Sequence, residues 1–165
     1  MIKSLFLSFF SVDFPMYLRR DRALTAVSIM LDVAFYAGRA GVVSGADIAR
    51  RGDMLRRGIE PVLQALSRAQ LLDSIRGPKG GYRLARAQRT ISLKEIVEAA
   101  TLAEREADEE SQGSRLFQKV VGPFWQSLDK EVSERMSGVT LDDLIREAED
   151  AGLRRPNRAP ISFSI

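Results

Sequence analysis

Between residues 71 and 84 the spacing of apolar side chains changes from a helical period to an alternating one. The change is centred on five residues, Gly77-Pro78-Lys79-Gly80-Gly81, four of them Gly or Pro, the types least compatible with a helix. Leu71-Leu72-Asp73-Ser74-Ile75 before them and Tyr82-Arg83-Leu84 after them read as two short strands. The glycines and proline between mark a hairpin tip. The other periodic segments are helical, so the chain is expected to be mainly α with one small β-hairpin.

From Asp21 to Ala37 the apolar residues Leu24, Val27, Ile29, Leu31, Val33, Ala34 and Ala37 cover most of a helical surface, with Arg22 and Asp32 on the remainder. This predicts a long, mostly buried first helix ended by Gly38 and Gly41. Ser44 stands as an N-cap before a short second helix through Ala46-Asp47-Ile48-Ala49, which Gly52 closes. Residues 55–69 predict a third helix, with Ile59, Val62, Leu63 and Leu66 on one face and Arg56, Arg57 and Gln64 on others. Gly58 and Pro61 weaken it at its start, where proline does least harm.

After the hairpin, Ser92 and Glu95 form a capping box that opens a fourth helix to Ala100, followed by an acidic, aperiodic stretch from Glu104 to Gln112. A long fifth helix begins near Ser114. Its residues Leu116, Val120, Phe124, Leu128, Val132 and Met136 recur every fourth position, widened by Phe117, Val121 and Trp125, and Gly122-Pro123 should kink it. Thr140 with Asp143 caps a final helix. No internal repeat is present. The expected organisation is a disordered extension over 1–15, a first domain over 16–100, an acidic loop over 101–113, a helical pair over 114–153 and a disordered tail over 154–165.

A chain of 165 residues, 45% hydrophobic and 28% charged, fits one soluble domain that can bury a core. Its apolar runs are too short to span a membrane. The segment before Met16 has one Lys and an apolar patch from Leu5 to Phe10, but lacks the small-residue cleavage site of a signal peptide. The chain contains no Cys and no His. That removes disulfides, thiolate nucleophiles, Ser-His-Asp relays and the usual zinc, haem and cluster ligands, so the reading starts from a binding protein rather than an enzyme.

Charge is divided along the chain. Residues 16–100 hold fifteen Lys and Arg against eight Asp and Glu, whereas residues 101–153 hold six against thirteen. A basic first part suits a polyanion such as nucleic acid. Helix, short helix, turn, helix and Gly-rich hairpin is the order of a winged helix-turn-helix, in which the third helix enters the major groove and the hairpin lies along phosphates. Arg56 and Arg57, at the N-terminal end of the third helix, are then candidates for base contacts. Ser44, Arg50, Arg76, Lys79 and Arg83 are candidates for phosphate or groove contacts, with Arg19 and Arg20 beside the first helix. Residues 16–100 are then the expected winged helix-turn-helix DNA-binding domain. The fifth helix carries more apolar surface than such a domain can cover, so residues 114–153 are the expected dimerisation helices and the stripe of Leu116, Val120, Phe124, Leu128 and Val132 the candidate dimer interface.

The segment Arg76-Gly77-Pro78-Lys79-Gly80-Gly81-Tyr82-Arg83-Leu84-Ala85-Arg86 resembles the wing motif of the Rrf-two type transcriptional regulators, the group containing the IscR, NsrR and CymR repressors. Ile59-Glu60-Pro61-Val62-Leu63-Gln64-Ala65-Leu66 is similar to their recognition-helix segment, and Ser92-Leu93-Lys94-Glu95-Ile96-Val97-Glu98-Ala99 to their next helix. Val139-Thr140-Leu141-Asp142-Asp143-Leu144 resembles the family's ending, so the likeness runs from residue 16 to about 146. It implies a homodimer held by the long fifth helix, a palindromic operator and usually repression. The expected protein is cytoplasmic, with a small-molecule or protein effector as a further candidate partner. Many members carry three Cys after the fourth helix to hold an iron-sulfur cluster. Here that stretch, residues 101–112, has none, which excludes a Cys-ligated cluster; the family also has cluster-free members, some acting through a partner protein. The competing expectation is an interaction module that kept the fold and lost operator binding.

Overall fold

The computed structural model describes residues 20–37, 41–108 and 114–156. Helix α1 (Arg20–Ala37) lies at the centre of the fold. Its residues Ala23, Ala26, Ile29, Met30, Val33, Ala34 and Ala37 recur at spacings of three and four and are all buried, whereas Leu24 faces outward. Helix α2 (Gly45–Arg51) opens on Ser44, whose Oγ accepts the Asp47 N–H at 3.1 Å, and closes at Gly52. Helix α3 (Arg56–Arg68) buries Ile59, Val62, Leu63 and Leu66 against α1.

Strands β1 (Leu72–Ile75) and β2 (Gly81–Leu84) pair antiparallel, with Leu72 opposite Leu84 and Ile75 opposite Gly81. A two-stranded ribbon is marginal by itself. Here its root is held in the core by Leu71 and Leu72. Its far edge is bridged by Val43, which donates to the Tyr82 carbonyl at 2.9 Å and accepts the Tyr82 N–H at 2.8 Å. That bridge requires glycine at position 81, because a Cβ there would lie 2.4 Å from the Val43 carbonyl oxygen. Gly77 turns the tip at φ +114°, a conformation that side chains with a Cβ rarely adopt.

A 3₁₀ turn at Gln88–Thr90 leads into helix α4 (Leu93–Asp108). A π-helical turn at Phe117–Val121 then precedes helix α5 (Gly122–Ser137), and helix α6 (Leu141–Asp150) completes the order. Both expected capping boxes form. Ser92 and Glu95 exchange backbone and side-chain hydrogen bonds at the start of α4, as do Thr140 and Asp143 at the start of α6. The two helix starts are stitched together, since Leu93 donates to the Val139 carbonyl at 2.8 Å and Leu141 to that of Ile91 at 2.9 Å.

The structure corrects the sequence reading in several places. The acidic loop expected over 101–113 is helical as far as Asp108, because Glu, Ala and Leu sustain a helix whatever their net charge; residues 109–113 lie outside the described residues. Pro61 is the sixth residue of α3 rather than part of its first turn, and it cannot donate to the Arg57 carbonyl. The kink expected at Gly122-Pro123 takes the form of the π turn, in which Gly122 donates to the carbonyl of Phe117.

The final helix, expected to belong with the dimerisation helices, instead places Leu141 and Ile145 fully buried in the α1 core. The tail expected from residue 154 is tied at its start by Arg155, which lies 2.8 Å from Glu149. The expectations for residues 1–15 and for the tail beyond residue 156 fall outside the described residues.

Candidate nucleic-acid interface

The second and third helices and the hairpin form one assembly. Tyr82 joins β2 to the segment entering α2 through the Val43 bridge and lies against Gly45, while α3 packs on both α2 and β1. The orientation of α2 on α1 is fixed by a contact that sequence reading missed. Arg51 donates two hydrogen bonds to Asp32, at 2.8 and 2.7 Å, and its guanidinium lies 4.1 Å from the Tyr36 ring centre. The sequence pattern places Asp32 only on the part of the first helix that its apolar residues leave uncovered. Nothing local in the sequence links residues 19 positions apart.

The predicted cationic contacts separate into two kinds. Arg56 and Arg57 occupy the first two positions of α3, and Arg76 and Lys79 lie in the hairpin turn. All four are exposed, and their side chains make no hydrogen bond or ion pair with the described residues. Arg50 and Arg83 are exposed but held by carboxylates of their own chain. Arg50 lies 2.6 Å from Asp47, and Arg83 lies 3.2 Å from its cross-strand partner Asp73. The Arg50 guanidinium, followed by the Ser44 hydroxyl, keeps the Asp47 carboxyl below the usual carboxylate range.

Ser44 itself is committed internally, because its hydroxyl both accepts the Asp47 N–H and donates to the Asp47 carboxylate. Arg20 begins α1, but its side chain lies outside the described residues, as does all of Arg19. Beside this surface, burial pushes the Tyr82 phenol above its ordinary value, with the nearby Glu60 carboxylate adding to the effect.

The expected interface stripe divides along its length. Leu116, Val120 and Phe124 are 74%, 60% and 60% exposed, and Phe117, Val121 and Trp125 beside them are also exposed. Leu128, Val132 and Met136 are half-buried, in the part of the chain where α5 packs along α4.

The model of the Rrf2 family, described as an iron-dependent transcriptional regulator, matches residues 20–147. The chain belongs to the Rrf2 family. An HTH-type transcriptional regulator IscR of Vibrio vulnificus is 31% identical over 130 residues, covering 75% of this chain and 74% of its own length. The solved structure of T. potens IscR superimposes with a TM-score of 0.64 at 26% identity, over 90% of this chain and 96% of that one. CymR of B. subtilis, titled a global cysteine regulator, matches with a TM-score of 0.58 at 22% identity, over 82% of this chain and 98% of its own. This Rrf2 protein is therefore a winged-helix, DNA-binding transcriptional regulator and not an enzyme. Within it, α3 stands where a winged helix-turn-helix has its recognition helix, and the β1–β2 hairpin where it has its wing.

Proposed function

We propose that this Rrf2 protein is a cytoplasmic homodimeric repressor that binds a palindromic operator. Arg56 and Arg57 read base edges, while Arg76 and Lys79 hold phosphates. The observation that carries this reading is the set of four exposed, unpaired cations at the two elements a winged helix presents to DNA. Arg50 and Arg83 join them by sharing or leaving their carboxylate partners, with Ser44, Arg19 and Arg20 at the margin. The dimer forms through the exposed half of the stripe, Leu116, Val120 and Phe124, continued by Leu128 and Val132. Unpartnered apolar surface of this extent on a helix favours burial against its symmetric copy.

Selection from a random DNA library tests this directly. The expected product is an inverted repeat whose half-sites are about one helical turn apart. Enrichment of a single half-site, or of nothing, contradicts the dimeric operator reading.

The donor set does not fit an iron-sulfur cluster. The chain has neither Cys nor His, and among the described residues no group of three or more Asp and Glu is placed to hold a metal ion. Without a cluster, the repressor is either constitutive or relieved by a small-molecule or protein effector. Anaerobic reconstitution with iron and sulfide should leave the protein colourless, and stoichiometric iron with a visible charge-transfer band contradicts this. No helix among the described residues is long and apolar enough to cross a membrane.

A further inference from the structure

Among the described residues a side chain caps the start of α2 (Ser44), α4 (Ser92) and α6 (Thr140), and Ser114 does the same for the helical stretch that enters the π turn, accepting the Phe117 N–H. Helix α3 has no such cap. Its N-cap is Leu55, which makes no capping hydrogen bond and is 83% exposed, more than any other large apolar side chain among the described residues. One turn further on, Gly58 occupies the third position of α3, and a Cβ built there would meet nothing within 4 Å. Leucine is among the poorer N-caps, and glycine is among the poorer residues inside a helix.

The contrast with the wing is informative. Gly81 is required by the backbone of Val43 and Gly77 by its positive φ, but no contact within the described protein calls for glycine at 58 or leucine at 55. Positions 55 and 58 are three apart, so they share a face at the leading end of α3, with Arg56 and Arg57 beside them.

We propose that Leu55 and Gly58 form an apolar reading surface for thymine methyl groups in the major groove. Leu55 packs on a thymine C5-methyl, the one apolar group that any base pair presents in that groove. The absent side chain at Gly58 lets the first turn of α3 come close to the base edges. The proposal rests on the reading that α3 enters the major groove, and it adds a contact that discriminates without a hydrogen bond.

The experiment uses the full chain and its selected operator, with thymines replaced one at a time by uracil, which deletes the methyl and keeps the pairing. Binding is followed by fluorescence anisotropy. Wild type should lose about fourfold in affinity at one thymine per half-site, the value of one buried methyl-sized group. Leu55→Ala should bind thymine and uracil equally there while keeping its other base preferences. Gly58→Ala should raise the melting temperature, because alanine is the better helix former and its Cβ has room, yet weaken operator binding.

Operator binding that is specific but indifferent to every thymine-to-uracil change overturns this proposal alone. Retention of thymine preference by Leu55→Ala does the same. Binding without any sequence preference overturns the major-groove reading beneath it.

Discussion

Arg56 and Arg57 differ from Arg50 and Arg83 in what they already hold. The first pair brings unpaired guanidinium groups to the leading end of α3, whereas the second pair must share or exchange a carboxylate of the same chain to reach DNA. Replacing Arg56 or Arg57 by Ala should therefore cost about 1–3 kcal/mol in operator binding and relax preference at one base position per half-site. Lys79→Ala should weaken all sequences alike and make the salt dependence shallower. Identical behaviour of the three variants in competition assays would contradict the division into base and phosphate contacts.

Arg56, Arg57, Arg76 and Lys79 were legible in the sequence because motif order alone places them at helix start and hairpin turn. The Arg51–Asp32–Tyr36 clamp was not, since only the packing of α2 on α1 brings it together. Arg51→Ala should lower stability by about 2 kcal/mol, and Arg51→Lys should fail to restore it, because an ammonium cannot reproduce the planar two-bond fork. Full recovery by lysine in denaturant melts would show that charge alone suffices.

At the scale of elements, the caps were the most readable feature. Ser92-x-x-Glu95 and Thr140-x-x-Asp143 each carry their own donors and acceptors within four residues, so tertiary context is not needed to recognise them. Two features depart from the sequence reading. The fourth helix continues to Asp108 because Glu, Ala and Leu sustain a helix through an acidic stretch, and the kink before Pro123 takes the form of a π turn.

The caps also give a pH dependence. Hydrogen bonds from the Ser92 and Thr140 segments hold the Glu95 and Asp143 carboxyls below their ordinary values, with Arg86 also bonding Glu95. A carboxyl depressed by folding contributes stability that is complete above its unfolded value and disappears as pH falls through the folded one. Asp143→Asn should therefore lose less stability than wild type between about pH 5 and pH 3. Parallel pH profiles for the two proteins in thermal melts would show that this box does not couple to protonation.

In the whole molecule, α1 gathers α3, α4, α6 and the wing into one core, while the first half of the long helix presents Leu116, Val120 and Phe124 to solvent. The sequence showed the stripe but not where it would divide, because one chain's periodicity cannot say which turns its own neighbours cover. Phe124→Glu should place a charge in the proposed symmetric seam without touching the core, giving a folded monomer whose affinity for the full inverted repeat falls toward that for a half-site. A variant that stays dimeric in sedimentation would place the interface elsewhere.

Operator reading by α3 and the wing together is tested most directly by titrating salt against binding of the full chain to its selected operator and to a scrambled duplex of equal length. A dimer that neutralises roughly eight phosphates should give a log–log slope near −7, with the operator favoured by about a thousandfold or more. Equal affinity for the two duplexes across the titration would contradict the account.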